Sequence, residues 1–103
     1  MPAWVEERTV PDMLARCVRN APDRVALVGD SAGRGEVELT YAELADAAAR
    51  VAGGFAELGV SHGDRIALLI SNHAALEGHI AVHAAHRLGA IVVPINVRSV
   101  PTE

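Results

Sequence analysis

A chain of 103 residues that is 50% apolar and 21% charged, with a formal charge of -4, reads as globular and falls outside the disordered, collagenous and disulfide-scaffold classes. All nine of its basic side chains are arginine, so no lysine is on hand to clamp a phosphate or form a Schiff base. An acidic chain whose aromatics are Trp4, Tyr41 and Phe55 offers neither a basic face nor a stacking platform, which argues against nucleic acid as a partner. No apolar run approaches the roughly 18 residues of a membrane span. Glu6, Glu7 and Arg8 stand where a signal peptide would be apolar, so a cytoplasmic chain is expected. One small core is possible at this length, and a thin one, since 19 of the 52 apolar residues are alanine.

Thr9-Val10-Pro11-Asp12 predicts the start of a first helix: a hydroxyl cap, proline in the first turn and an early carboxylate. Val10, Met13, Leu14, Cys17 and Val18 form its apolar stripe, Arg16 and Arg19 face water, and the helix ends before Pro22. Cys17, the lone cysteine, reads as a small buried hydrophobe. Val25–Val28 reads as a strand, Gly29–Glu36 as turn chemistry and Val37–Leu39 as a second strand, together an antiparallel hairpin.

Thr40-Tyr41-Ala42-Glu43 is a capping box that opens the clearest helix. Leu44, Ala48, Val51, Phe55 and Leu58 mark its buried side, and Gly59 supplies a left-handed stop. Gly53-Gly54 inside it costs on the order of 1 kcal/mol per glycine relative to alanine, which predicts a neighbouring backbone close by. After the turn Ser61-His62-Gly63-Asp64, the run Ile66–Ile70 is continuously apolar, as in a parallel strand covered on both faces. A third helix, capped by Ser71 or Asn72, runs through Leu88, stops at Gly89 and leads into a strand from Ala90 to Ile95. Strand, helix, strand is a βαβ unit with a right-handed crossover expected, so the fold class is α/β. Ser99-Val100-Pro101-Thr102-Glu103 has the chemistry of another helix start. The expected architecture is a partial subdomain, with a β-hairpin and a βαβ unit, cut from a larger domain.

Residue types that could carry chemistry are few. Gly33-Arg34-Gly35 lies between strands, whereas a phosphate cradle needs a helix N-terminus after its glycines, so a hairpin tip is expected. His79, His83 and His86 share one helix face at i, i+4 and i+7, with His62 and His73 outside that stripe. Ile80 stands where a zinc protease has glutamate, and Glu77 projects from nearly the opposite side, so these histidines read as polar margin or as residues facing a partner domain. Ser31, Ser61, Ser71 and Ser99 fall at turns or caps, which gives each hydroxyl a local backbone partner. The sites expected from these residues are therefore catalytic none, cofactor-binding none and metal none.

Three blocks in series are more specific: Leu39-Thr40-Tyr41-Ala42-Glu43-Leu44, Gly63-Asp64-Arg65-Ile66-Ala67-Leu68-Leu69-Ile70-Ser71-Asn72, and Arg87-Leu88-Gly89-Ala90-Ile91-Val92-Val93-Pro94-Ile95-Asn96. In this order and spacing the chain resembles the N-terminal region of AMP-forming adenylating enzymes, and Val92-Val93-Pro94-Ile95-Asn96 looks more like an acyl-CoA synthetase than an amino-acid adenylation domain. The resemblance implies an incomplete N-terminal portion, residues 1–103, of an enzyme that activates a carboxylic (fatty) acid with ATP to an acyl adenylate and then a CoA thioester. ATP, magnesium and CoA are implied for the full-length family. The family's Ser/Thr/Gly-rich phosphate loop, adenine-binding aromatic motif, ribose-binding aspartate, hinge and catalytic lysine have no counterpart here, so the fragment alone is expected to be inactive and to need the remainder of the synthetase domain as its partner. The matching positions imply scaffold: Thr40 and Glu43 cap a helix, Gly89 ends one, and Pro94 closes a buried strand. A small stand-alone interaction module and a His-rich metal-binding protein are the alternative readings.

Overall fold

A computed structural model describes residues 9–95, with Asn72 described by its backbone alone. The helix start at Ser99–Glu103, Asn96 and the segment before Thr9 lie outside the described residues.

Helix α1 (Val10–Asn20) begins where the Thr9 hydroxyl accepts a hydrogen bond from the Asp12 amide at 3.2 Å. Leu14, Cys17 and Val18 are half-buried against the rest of the molecule, but Val10 and Met13 are exposed, Met13 by 56%. The stripe is narrower than its spacing predicts because α1 lies on the outside of two other helices and no residue of it is fully covered.

Strands β1 (Val25–Ser31) and β2 (Gly35–Thr40) pair antiparallel, from Val25 opposite Thr40 to Ser31 opposite Gly35. The hairpin is the expected one, with longer arms: Gly29, Asp30 and Ser31 belong to β1, and Ala32-Gly33-Arg34 alone make the tip. Gly33 and Gly35 take φ of 75° and 73°, which L side chains resist.

Helix α2 (Tyr41–Glu57) carries both halves of its capping box: the Glu43 amide donates to the Thr40 hydroxyl at 3.1 Å, and the Thr40 amide donates to the Glu43 carboxylate at 2.9 Å. The cap also joins α2 to the hairpin's base, since Tyr41 N–H donates to the Arg24 carbonyl and Ala42 N–H to that of Pro22. Leu44, Ala48 and Ala52 are its buried residues. Leu58, expected on the same side, is 84% exposed because the helix has ended by then and Gly59 turns the chain away at φ 96°.

Strand β3 (Arg65–Leu68), a short 3-10 turn (Asn72–Ala74), helix α3 (Ala75–Leu88) and strand β4 (Ile91–Pro94) complete the described order. β3 and β4 pair in parallel, with Arg65, Ile66, Ala67 and Leu68 beside Ile91, Val92, Val93 and Pro94. The parallel pairing is as predicted, but β3 is shorter than the apolar run and covered on one side only. Pro94, expected in a buried strand, is exposed. Nor does the Ser71 hydroxyl cap the third helix, for the 3-10 turn separates it from α3 and it makes no cap hydrogen bond.

The core sits where α2 packs on α3, with β1 against α3. Its buried apolar residues are Leu44, Ala48, Ala52, Leu76, Ala84, Ala85 and Ala90. Five of these seven are alanine, so the helices approach closely and little side-chain volume lies between them.

Candidate functional site

Two polar constellations are worth building from the residues upward. The first joins the hairpin to α3. Ser31 ends β1 with 3% of its surface exposed, and its hydroxyl donates to Glu77 Oε2 at 2.5 Å. The other carboxylate oxygen accepts the Ala32 amide at 3.3 Å. Glu77 lies in the first turn of α3, where the helix dipole favours a carboxylate. The Ser31 hydroxyl holds its pKa below the ordinary value, helped by backbone donors and the nearby Arg34 and opposed by partial desolvation. Sequence spacing correctly put Glu77 away from the histidine stripe but gave no sign of this bond, which spans 46 positions. Nor did it show that Ser31 has a carboxylate in place of a local backbone partner. A faint signal existed in the alternation of the strand, which turns Ser31 to the same side as Leu27 and Gly29.

The second is the histidine face. His83 lines a cavity of about 260 Å³ between α1, α2 and α3, with Leu14, Val18 and Ala48 as apolar wall and Arg19 and Arg87 also on the lining. Burial lowers its pKa, and the neighbouring His86 and His79 lower it further. The His83 and His86 rings meet edge to face with centroids 6.5 Å apart, and His86 Nδ1 is buried with no hydrogen-bond partner among the described residues. His79 is exposed on the same helix. Among the described residues, no three His, Cys, Asp or Glu side chains come together to hold a metal ion. His62 stands apart, its ring against Gly89.

The glycines at the hairpin tip do not fit a nucleotide phosphate. Gly35 begins a strand that pairs back on β1, so the amides after the tip enter a ladder and are not left free at a helix N-terminus. Thr40 and Glu43 are occupied with each other, and Gly89 ends α3 at φ 72°. No helix is long and apolar enough to cross a membrane among the described residues. The arrangement is that of structural joints: caps, turns and one cross-link.

Comparison with known proteins tests the family resemblance. The chain matches the AMP-binding enzyme family over residues 14–103. It is 38% identical over 96 residues to a substituted octahydroindenyl-propanoyl:CoA ligase of Mycobacterium tuberculosis, covering 93% of this chain and 18% of that protein. It is 34% identical over 88 residues to the 2-succinylbenzoate–CoA ligase of Bacillus licheniformis, covering 85% of this chain and 17% of that one. Among solved structures, the N-terminal subdomain of Klebsiella oxytoca NpsA in complex with anthranilyl-AMSN superposes with a TM-score of 0.79 at 31% identity, over 96% of this chain and 24% of that chain. The chain thus spans less than a fifth of the curated relatives' length. The expected resemblance holds over nearly its whole extent: the match to a solved N-terminal subdomain and to CoA ligases agrees with the family model, and the chain belongs to the AMP-binding enzyme family.

Proposed function

We propose that this chain is the scaffolding part of a cytoplasmic acid–CoA ligase, and that by itself it does not turn over. The ligase would couple ATP to a carboxylic acid as an acyl adenylate and pass the acyl group to the thiol of CoA. A carboxylate is a poor electrophile until it gains such a leaving group, and the charge on the phosphates has to be met by cations. The described residues do not fit that second task. They present no lysine and no phosphate cradle. ATP, magnesium and CoA would then be held by the part of the enzyme that the relatives possess and this chain does not match.

The observation that carries the reading is the alignment of 93% of the chain with a CoA ligase at 38% identity. It is supported by Thr40, Tyr41, Ala42 and Glu43 of the first block, which form a helix cap and a joint to the base of the hairpin. The acid is a carboxylic acid, with fatty acids the first class to try. The test is acid-dependent exchange of pyrophosphate into ATP by the purified 103-residue chain, across fatty and aromatic acids. No exchange above the protein-free control is expected, and robust turnover would refute the scaffold reading.

A further inference from the structure

Arg19 stands in the last turn of α1 and Arg87 in the last turn of α3, and both line the cavity that holds His83. A helix C-terminus favours a cation, which accounts for each arginine on its own helix. It does not account for their meeting at one cavity. Among the described residues neither is in an ion pair, and no acidic side chain is on the lining. Two like charges held at one site repel unless an anion joins them. The third polar group there, His83, is half-buried and kept neutral at pH 7 by that burial and by His86 and His79, so it can hydrogen-bond without adding charge. The remaining lining is apolar, with Leu14 and Val18 from α1 and Ala45 and Ala48 from α2.

We propose that this cavity binds a short-chain carboxylate, its head held between the Arg19 and Arg87 guanidiniums beside His83 and its tail against Leu14, Val18 and Ala48. A guanidinium presents paired N–H donors that match the two oxygens of a carboxylate. The apolar wall selects a hydrocarbon tail over a bare inorganic anion. At about 260 Å³ the space falls below the roughly 300–1,000 Å³ of drug-sized pockets, which limits the tail to a few carbons. The charged and titratable groups around His83 are Arg19 from α1 and His79, His86 and Arg87 from α3, while α2 contributes alanine to the lining. A bound anion beside His83 favours its charged form, so binding takes up a proton.

The test is isothermal titration of the full chain with octanoate, alongside acetate, which lacks the tail, and octanamide, which lacks the charge. Octanoate should bind saturably at one site, and the other two at least about tenfold more weakly. Arg19→Gln with Arg87→Gln should weaken octanoate at least about tenfold, whereas Arg65→Gln, exposed on β3, should leave it unchanged. Circular dichroism checks that each variant folds, and the octanamide arm decides the role of charge without any substitution. Octanoate affinity should rise from about pH 8 to about pH 6, where the carboxylate stays ionised, and His83→Asn should flatten the rise. Absence of saturable binding overturns the proposal, as does equal affinity for octanoate and octanamide. Octanoate binding indifferent to the arginine pair overturns it in favour of the open apolar surfaces, and a pH profile that His83→Asn leaves unchanged overturns the placement of the head. The site uses no ATP, so these outcomes are independent of pyrophosphate exchange.

Discussion

At the scale of single residues, the most consequential group is the one that spacing left unassigned. Glu77 accepts from a hydroxyl that is itself buried, so its removal leaves Ser31 desolvated and unpaired. Glu77→Ala should cost about 1–3 kcal/mol by urea denaturation at pH 7, toward the low end because the carboxylate is only half-buried. The pH profile carries a second signature. Glu77 has a folded pKa below its unfolded value, so its stabilisation is complete above about 4.3, the ordinary glutamate value, and is lost as pH falls through the folded value. His83 is also lowered, because burial favours its neutral form. Its contribution is complete above about 6.5 and begins to fall as pH drops below that. The acid limb of stability should therefore descend in two stages, with His83→Asn flattening the upper and Glu77→Gln the lower. A profile that neither substitution changes would remove both groups from the account.

At the scale of elements, the glycine pair of α2 separates what the sequence can show from what it cannot. Mid-helix glycine predicted a close neighbour, yet a Cβ at Gly53 or Gly54 would meet nothing within 4 Å, and both positions are exposed. Gly53→Ala and Gly54→Ala should each stabilise the chain by about 0.5–1 kcal/mol, read as a rise in denaturation midpoint; a loss of stability would mean that a surface does meet this face. The contrast with Gly89 is instructive. There φ is 72° and a Cβ would run into the His62 ring, so two independent constraints hold the residue. Caps and stops were legible because they are local: Thr9 with Asp12, Thr40 with Glu43, and Gly59 and Gly89 act within a few positions. The ends of the hairpin arms, the exposure of Met13 and Leu58, and the Ser31–Glu77 bond were not, since each depends on which remote element arrives alongside. The histidine stripe was legible because it follows from helical period. The cavity beside His83 required the placement of α1.

At the scale of the whole molecule, stability has to come from a core in which, among the described residues, five of seven buried apolar residues are alanine and no large side chain is fully enclosed. Leucine, isoleucine and phenylalanine each contribute roughly 1.5–3 kcal/mol when fully covered, and an alanine methyl much less, so the usual surplus of hydrophobic burial over chain entropy is small here. The remaining apolar area is spent on surfaces that stay open, from Val28 on the hairpin to Leu69, Ile91 and Val93 on the parallel pair. The same feature thus lowers folding stability and leaves a surface that dye molecules can reach. The isolated chain should melt broadly, with a midpoint below the range of about 45–65 °C common to mesophilic domains, and should bind an apolar dye such as ANS before the transition. Far-ultraviolet circular dichroism and ANS fluorescence recorded in parallel would check this. A sharp transition well above that range, with no dye binding in the native baseline, would instead mark a self-sufficient module, because only a chain that hides its own apolar surface can unfold that cooperatively at this size.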